Sequence, residues 1–257
     1  MTAPARIECR SLTVEVPGRV LVRDLGFALP AGRMLVVLGR NGSGKSSTLH
    51  TLAGLRPAAG GSVRLDGREI GHWPRRELAR TLGLLPQLVD DPFPATALEA
   101  VLVGRHPHLD FWAWEGTDDR NAAQRALAAV DLAGLEQRDI ATLSGGERRR
   151  LSIATILAQD PGVFLLDEPI HQLDPQHQMD VLRLFRGLAD AGRTVIVSLH
   201  DIGLAARFAD AALLLFGDGR WHCGDCDSAL TESSIGELYG IAVRELRWEH
   251  GRTFVAA

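Results

Sequence analysis

The chain has 257 residues, of which 46% are hydrophobic and 23% are charged, so it can bury a large core in one large or two small domains. The formal net charge of -4 excludes a general attraction to nucleic acid or anionic lipid, although a local basic patch is compatible with it. The start "MTAPARIECR" has no apolar signal segment and no apolar stretch is long enough to cross a bilayer. We therefore expect a cytosolic protein, unless a partner holds it at a membrane.

The first thirty residues predict an antiparallel sheet. The segments "RIECRSLTVEV" and "LVRDLGFALP" alternate apolar and polar residues on either side of the turn "PGR". Further along, "GSVRLDGREI" predicts a hairpin with an Asp-Gly turn.

Short apolar runs alternate with helical patterns over most of the chain, which predicts an α/β domain with a largely parallel sheet. These runs are "MLVVLG", "VFLLDEP", "TVIVSLHD" and "AALLLF". Between about 89 and 150 the strands stop, and "ATALEAVLVGR" and "DRNAAQRALAAVDLAGL" have the spacing of amphipathic helices. We predict a single domain over 1–257, with a core at 1–88 and 151–257 and a helical insertion at 89–150.

A phosphate-binding loop is predicted where the first buried run meets a helix. "GRNGSGKS" fits G-x-x-x-x-G-K-[ST] in the strand, loop and helix context that the pattern requires, which leaves little room for an ordinary glycine-rich turn. Lys45 is expected to reach the β- and γ-phosphates of a nucleotide, and Ser46 to ligate Mg²⁺. The predicted phosphate-contacting residues are Gly39, Arg40, Asn41, Gly42, Ser43, Gly44, Lys45, Ser46 and Ser47.

Two carboxylates follow the run "VFLL". Asp167 ends a buried strand, where a carboxylate is costly unless it pairs with a cation such as Mg²⁺. Glu168 comes next and, by strand alternation, points in another direction, which suits a base or water-orienting role. Taken alone, the pair is equally compatible with helix capping.

A second candidate anion site lies in "LSGGERRR" at 143–150. Ser144 and Glu147 form an S-x-x-E capping box at a helix start, followed by a basic run. Capping does not explain Gly145 and Gly146, because each glycine costs about 1 kcal/mol of helix stability relative to alanine. Bare main-chain N–H groups would let an anion approach.

These residues, together with "LLPQ" (84–87), "HQLD" (171–174) and "SLHD" (198–201) in this order, resemble the ATP-binding subunit of an ABC transporter over nearly the whole chain. The resemblance implies an α/β fold: a P-loop ATPase core with a mixed sheet, an antiparallel N-terminal β subdomain and a helical subdomain insertion. It also implies ATP and Mg²⁺ as cofactors and a homodimer in which the helix at Ser144 faces the γ-phosphate bound by the partner's Lys45.

Carried over by position, the resemblance implies further roles. Gln87 would sense the γ-phosphate and Mg²⁺, Asp174 would lie at the dimer interface, and His200 would contact the γ-phosphate. The catalytic set is thus Glu168, His200, Gln87 and Lys45, and the metal set is Ser46, Gln87 and Asp167. A histidine and an aspartate after a strand are also compatible with a simple helix start.

The chain departs from the family pattern in places. Val16 stands where an aromatic residue usually stacks on adenine, which weakens the expectation of nucleotide selectivity. Ile170 and Gln172 stand where a threonine and often a histidine occur, so the interface contact at 172 is left open.

The segment "VLVGRHPHLDFW" resembles importers of iron-siderophore complexes, haem and vitamin B12, with later segments similar to cobalamin-type members. The resemblance implies a separate permease dimer, an indirect periplasmic or surface substrate-binding protein, and a peripheral position on the cytoplasmic face of the membrane. A haem importer or a soluble ABC ATPase that moves a nucleic-acid partner are the alternatives. The acidic balance and the absence of a second ATPase motif set favour transport without nucleic acid.

Several residues stay outside these motifs. Cys223 and Cys226 in "CGDC" are interpreted as free thiols around a turn rather than as a zinc or redox site. Trp112 and Trp114 are expected to pack within the chain, with permease contact as the alternative. Trp221 and Trp248 are expected to be packing residues, and the C-terminus is predicted to form a helix and an edge hairpin.

Overall fold

A computed structural model describes residues 4–87, 94–110, 113–249 and 251–257. The strands are β1 (Ala5–Val16), β2 (Arg19–Pro30), β3 (Met34–Leu38), β4 (Gly60–Leu65), β5 (Arg68–Glu69), β6 (Leu82–Leu85), β7 (Val163–Asp167), β8 (Thr194–Ser198), β9 (Ala211–Leu215), β10 (Trp221–Asp225), β11 (Val243–Trp248) and β12 (Gly251–Ala256). The α-helices are α1 (Lys45–Leu52), α2 (Arg75–Thr81), α3 (Ala97–Leu102), α4 (Thr117–Ala129), α5 (Gly145–Gln159), α6 (Pro175–Asp190), α7 (Ile202–Phe208), α8 (Cys226–Ala229) and α9 (Glu232–Tyr239).

The main sheet has the strand order β10-β9-β3-β8-β7-β6 in the part of the chain that the structure describes. β9, β3, β8, β7 and β6 run parallel, and β10 is antiparallel to β9. Every residue of β3, β7 and β8 is buried, because both faces of the sheet are covered. The predicted α/β fold with a largely parallel sheet is confirmed.

The main sheet separates two hydrophobic cores. Leu35 and Val37 of β3 face a core shared with α1 and the antiparallel sheet. Met34, Val36 and Leu38 face the other core, which contains the apolar sides of α3 to α6. This alternation follows from the two-residue period of a strand, so β3 is fixed on both sides just before the loop that follows it.

The antiparallel sheet has the order β2-β1-β4-β5. The predicted "PGR" turn joins β1 to β2, and the Asp-Gly turn joins β4 to β5. Asp66 and Gly67 have φ values of 51° and 75°, the left-handed conformation that a two-residue hairpin turn needs. Both predicted hairpins are confirmed.

The predicted helical segment is present, but its first helix is shorter than the pattern "ATALEAVLVGR" indicates. α3 ends at Leu102, and a 3-10 helix follows over Val103–His108. At Gly104 the chain lies so close to α5 that a Cβ atom would overlap the carbonyl oxygen of Thr155. Residue 89 lies outside the described residues and residue 150 lies within α5, so the boundaries at 89 and 150 stay predictions.

The sequence predicted an edge hairpin at the C-terminus. A hairpin of β11 and β12 is present, but it forms a separate sheet and does not extend an edge of the main sheet. Side chains hold it in place. The Arg252 guanidinium donates to the carbonyl oxygens of Cys226 and Leu230 at 2.6 and 3.3 Å, and Phe254 is buried in the core. The hairpin therefore packs onto α7 and α8 through side chains instead of main-chain pairing.

The prediction of a turn between Cys223 and Cys226 is wrong. Gly224 and Asp225 belong to β10 and pair with β9. Burial raises the pKa of the Cys223 thiol to about 11 and that of Cys226 to about 12. Both thiols therefore stay protonated near neutral pH, which makes them poor metal ligands.

The tryptophans differ from one another. The expected internal packing is wrong for Trp114, which is 89% exposed, and Trp112 lies outside the described residues. Trp221 is half-buried, and its Nε1 donates to the carbonyl of Arg23 at 2.9 Å. Trp248 is 54% exposed and lies over Gly251 across the hairpin. None of the helices in the described ranges has the length and apolar character of a membrane span.

Candidate functional site

The glycine-rich loop connects β3 to α1 and depends on its glycines. Gly42 and Gly44 have φ values of 76° and 105°, where L side chains are strained. A Cβ atom on Gly39 would overlap Ser43 Oγ and lie 2.7 Å from the carbonyl oxygen of Leu215. Glycine is therefore strongly favoured at these three positions of the loop.

The start of α1 is prepared for an anion. Its N-cap, Gly44, supplies no side-chain acceptor, so within the described part of the chain no side chain caps the main-chain N–H groups of the first turn. Lys45 Nζ donates to the Gly39 carbonyl oxygen at 2.9 Å. Burial lowers the pKa of Lys45, and the nearby carboxylates Glu168 and Asp167 oppose that shift. A partly desolvated cation thus lies beside uncapped N–H groups.

Asp167 is the last residue of β7 and is 1% exposed. Its Oδ1 accepts a hydrogen bond from Ser198 Oγ at 2.6 Å. Its Oδ2 is buried and has no hydrogen-bond partner among the described residues. A buried carboxylate oxygen without a donor is costly and is suited to an added cation.

The sequence analysis predicted the direction of the Glu168 side chain from strand alternation, and this explanation is wrong. β7 ends at Asp167, and Glu168 has a left-handed φ of 48°, a conformation that costs about 1–3 kcal/mol in a non-glycine residue. Its N–H donates to Ser198 Oγ at 2.9 Å, and its carbonyl accepts from His171 N at 3.1 Å. These bonds help to hold the strained residue in place.

The Glu168 carboxylate is shared by two side chains from distant segments. Gln87 Nε2 donates to Oε2 at 2.9 Å, and His200 Nε2 lies 2.6 Å from Oε1. The carboxylate is buried, while His200 is 47% exposed at its side chain. The arrangement brings three of the predicted catalytic residues into contact.

A cavity of about 660 Å³ joins this carboxylate to the glycine-rich loop. Its lining includes the predicted residues Asn41, Gly42, Gly44, Lys45, Ser46, Ser47, Gln87, Glu168 and His200, together with Val16, Arg19, Leu21 and His171. The other predicted residues of this region do not line the cavity: Gly39, Ser43 and Asp167 are buried within two positions of a lining residue, and Arg40 is exposed. Ser144, Gly145, Gly146 and Asp174 do not line this cavity.

Ser144 is the N-cap of α5, and the predicted capping box is confirmed. Glu147 N donates to Ser144 Oγ at 3.2 Å, and Ser144 N donates to Glu147 Oε2 at 2.8 Å. A Cβ atom on Gly145 or Gly146 would lie 3.5 Å from Gln172, which is ordinary van der Waals contact. Packing within the chain therefore does not require either glycine.

Asp174 is the N-cap of α6. Its Oδ1 accepts from His177 N at 3.0 Å, and its Oδ2 lies 2.7 Å from His177 Nδ1. The main-chain bond from His177 holds the pKa of Asp174 below its usual range. A charged cap is therefore maintained at this exposed loop.

Two residues of the site had no role in the sequence prediction. Ser198 was quoted only as part of "SLHD", yet it bonds both Asp167 and Glu168. Arg149 belongs to the basic run after Ser144, yet its guanidinium is buried against the ends of β6 and β7. A polar residue ending an apolar strand was the available signal for Ser198, whereas nothing separated Arg149 from Arg148 and Arg150.

A larger open groove of about 780 Å³ lies elsewhere, between the β9–β10 turn and α9. It is lined by residues that include Arg23, Phe216, Arg220, Trp221 and Glu237, none of which belongs to the motifs. The chemistry of the lining residues, rather than volume, therefore identifies the site at the glycine-rich loop.

The parallel sheet, the glycine-rich loop after the central strand β3 and the acidic end of β7, which β8 separates from β3, define a P-loop nucleotide hydrolase. The family model described as "ABC transporter" matches residues 22–171. The chain belongs to the ABC transporter family, as one of its ATP-binding subunits with ATPase activity.

Curated relatives cover most of the chain. It is 44% identical over 248 residues to the hemin import ATP-binding protein HmuV of Nocardia farcinica, covering 93% of this chain and 85% of that protein. It is 38% identical over 204 residues to the "probable siderophore transport system ATP-binding protein YusV" of Bacillus subtilis, covering 79% of this chain and 74% of that protein.

Solved structures show the same fold. A metal-chelate type ABC transporter in an inward-facing conformation matches with a TM-score of 0.86 and 27% identity, covering 98% of both chains. The ATP-binding cassette MJ0796, as a dimer bound to ADP and Pi, matches with a TM-score of 0.73 and 27% identity, covering 84% of this chain and 97% of that chain.

Proposed function

We propose that the chain binds ATP at the glycine-rich loop and that hydrolysis of this ATP powers the import of a metal chelate through a separate permease. The observation that carries the proposal is the single cavity that joins Lys45 and Ser46 to Gln87, Glu168 and His200. Uncapped N–H groups of α1 and the Lys45 ammonium group would bind the phosphates, with the loop from Gly39 to Ser47 around them.

The residues present fit Mg²⁺ as the proposed metal. The buried Asp167 Oδ2 has no donor among the residues that the structure describes, and Ser46 and Gln87 supply neutral oxygens in the same region. The described residues contain no group of three or more His, Cys, Asp or Glu side chains suited to a metal. Mg²⁺ does not need one, because it is commonly held by one or two carboxylates together with substrate phosphates. When bound, it would neutralise phosphate charge.

Glu168 is proposed to orient and deprotonate the attacking water. Its two oxygens lie against Gln87 and His200, which would place both side chains beside the γ-phosphate. Either side chain can exchange its bond to Glu168 for one to the phosphate or water. Lys45 would offset charge that develops on the transferred phosphoryl group.

Two copies are proposed to form a head-to-tail dimer. Gly145 and Gly146 are exposed or half-buried and have room for a side chain, so their lack of one favours an approach by something outside the chain. The start of α5 at Ser144 would then complete the phosphate site of the partner, with Asp174 at the interface. Two bound ATP molecules would favour the closed dimer, and hydrolysis would remove the bridge.

The proposed cargo is an iron chelate, either haem or a ferric siderophore, with cobalamin as a third outcome. The names of the relatives HmuV and YusV support the first two. A permease dimer would bind this chain at the cytoplasmic face of the membrane, and a substrate-binding protein would act indirectly. The 89% exposed Trp114 is a candidate permease contact.

Uptake of labelled haem, ferric siderophore and cobalamin by source cells tests the proposal, with the gene deleted and then restored. Wild-type protein should restore one of these uptakes, and Glu168→Gln should not. Restoration of cobalamin uptake alone would overturn the iron-chelate assignment. If no uptake depends on the gene while the purified chain hydrolyses ATP, the import function would be wrong.

A further inference from the structure

Arg149 makes an unusual set of contacts for a residue in a basic run. It is 6% exposed, and its guanidinium donates to main-chain carbonyl oxygens in two separate segments. The bonds are Nε to Pro169 at 3.1 Å, Nη1 to Pro86 at 2.8 Å and to Gln87 at 3.3 Å, and Nη2 to Asp167 at 2.7 Å and to Glu168 at 2.8 Å. All the N–H groups of a guanidinium are thereby used.

These contacts join the parts of the site that must be positioned together. Gln87 donates to the Glu168 carboxylate, and Arg149 binds the main-chain carbonyls of both residues. Glu168 has a left-handed φ of 48°, so its side-chain direction depends on what holds its peptide groups. Ser198 binds its N–H, and Arg149 binds its carbonyl oxygen.

The two neighbouring arginines bind different main-chain carbonyl groups from those that Arg149 binds. Arg148 donates to the carbonyls of Leu143 and Ala141, and Arg150 donates to the carbonyls of Val130 and Asp131. Neither contacts the segments at Gln87 or Glu168. Of these three arginines, only Arg149 links α5, which begins after Ser144, to the main chain of Glu168.

Arg149 keeps its charge in this position. Burial lowers its pKa to about 10, and the charges of Asp167 and Glu168 oppose that shift, so the guanidinium is protonated at neutral pH. A lysine would keep the charge, but its compact ammonium group has three donors and cannot span the same set of carbonyls.

We propose that Arg149 is a positioning residue for ATP hydrolysis, which holds Gln87 and Glu168 through their main chains and fixes both to the helix that begins after Ser144. The start of this helix and the Glu168 carboxylate of the same chain then move as one unit. The inference rests on the proposed function of Glu168 and assigns no contact between Arg149 and ATP.

The test compares Arg149→Gln, Arg149→Lys and Arg150→Gln in the full-length protein, by steady-state ATPase kinetics, nucleotide binding and thermal unfolding. Arg149→Gln should lower kcat by about 10²-fold, the loss caused by a displacement of about 1 Å in an active site. Its ATP affinity should change little, because the glycine-rich loop is untouched. Arg149→Lys should recover part of kcat, and Arg150→Gln should stay within about twofold of wild type.

Arg149→Gln can fail to fold, and Arg149→Lys then carries the comparison. If Arg149→Gln lowered kcat and ATP binding equally, or if variants at positions 149 and 150 had equal effects, Arg149 would contribute only to helix packing. Either result would overturn the inference. Absence of ATPase activity in the wild-type protein would instead contradict the proposed function, since every variant is measured relative to wild type.

A double-mutant cycle with Ser198→Ala gives a readout that packing alone would not produce. Arg149 and Ser198 hold the same residue, so their losses in kcat should be less than additive when combined. Arg150→Gln combined with Ser198→Ala should be additive. Additive losses for the Arg149 pair would overturn the inference.

Discussion

Gln87 donates its side-chain amide to the Glu168 carboxylate at 2.9 Å, although the two residues are 81 positions apart. The bond connects the segment that leads into the helical region with the end of β7. Because His200 Nε2 lies 2.6 Å from the other carboxylate oxygen, both oxygens of Glu168 have a side-chain partner. Any ligand that draws Gln87 or His200 away would free Glu168 to accept from water.

Replacing Glu168 with glutamine should abolish most ATP turnover while leaving ATP binding intact. The amide is nearly isosteric but cannot accept a proton, and loss of a general base typically costs about 10²–10⁴-fold in rate. Steady-state turnover and equilibrium binding of ATP to the variant would measure the two effects separately. Wild-type hydrolysis by Glu168→Gln would contradict the proposed role.

Ser198→Ala should raise the Mg²⁺ concentration needed for half-maximal ATPase activity. Ser198 Oγ orients Asp167 through a 2.6 Å bond, and its loss leaves the buried Asp167 Oδ1 and Glu168 N–H without this partner. An unsatisfied buried group costs about 1–3 kcal/mol, so the free energy of unfolding should also fall. Titration with Mg²⁺ and thermal unfolding would check both effects.

Thr194→Ala provides the matched control for Ser198→Ala. Thr194 is buried at the start of β8 and pairs with Val163, at the opposite end of β7 from Asp167. Its Oγ1 donates to the Pro30 carbonyl oxygen. The control should lower stability without changing the Mg²⁺ requirement. An equal shift in the Mg²⁺ requirement for both variants would exclude a specific role of Ser198.

The sequence predicted the elements whose pattern is local. β3, β7 and β8 are continuous apolar runs, and the Asp66-Gly67 turn has its own composition signal. β10 was not predicted, because no residue of this strand is fully buried and its sequence "WHCGD" has no apolar alternation. The loop from Gly39 to Ser47 has an equally local pattern. Six of its nine residues line the cavity, and their contacts with phosphate stay a prediction.

The orientation of Glu168 could not be predicted, because distant residues determine it. Ser198 and Arg149 lie 30 and 19 positions away, and each forms a hydrogen bond with the main chain of Glu168. Such isolated long-range bonds produce no periodic pattern in the sequence. Strand alternation does not apply to Glu168, because β7 ends at Asp167. The same limitation applies to Arg149, whose neighbours have the same side chain and different partners.

Gly145→Ala should preserve the fold and lower ATPase activity. A Cβ atom at this position meets Gln172 Oε1 at 3.5 Å, so it fits, and alanine favours the helix by about 1 kcal/mol over glycine. The methyl group would instead obstruct the approach of a phosphate to the main chain of α5. Thermal unfolding should show unchanged or higher stability, while turnover and ATP-dependent dimerisation should decrease.

Gly187→Ala is a suitable control, because Gly187 lies within α6 and an added Cβ atom meets no neighbouring atom within 4 Å. It should raise stability without affecting turnover. If both variants keep full activity, the proposed contribution of α5 to the phosphate site of the partner would be wrong.

Val16→Tyr should tighten nucleotide binding. Val16 is half-buried and lines the cavity at the glycine-rich loop, where an aromatic ring could stack on a base. Stacking of this kind contributes about 1–3 kcal/mol and tolerates different bases, so affinity for ATP and GTP should rise together. Val20→Tyr on the same hairpin lies outside the cavity lining and should have no such effect. Unchanged affinity of Val16→Tyr would place the base elsewhere.

The acid side of the stability profile should depend on Glu147. The main-chain N–H of Ser144 holds the pKa of the Glu147 carboxyl below its ordinary value of 4.5, so the folded state favours the carboxylate. The resulting stabilisation is fully present above pH 4.5 and is lost as the pH falls through the lower folded-state pKa. Glu147→Gln keeps the shape of the capping box but removes the titration. The difference in free energy of unfolding between wild type and variant should therefore shrink below pH 4.5, and a constant difference would contradict this role. Glu99→Gln tests the same effect independently, because the main-chain N–H of Thr96 lowers the pKa of Glu99 in a second capping box at α3.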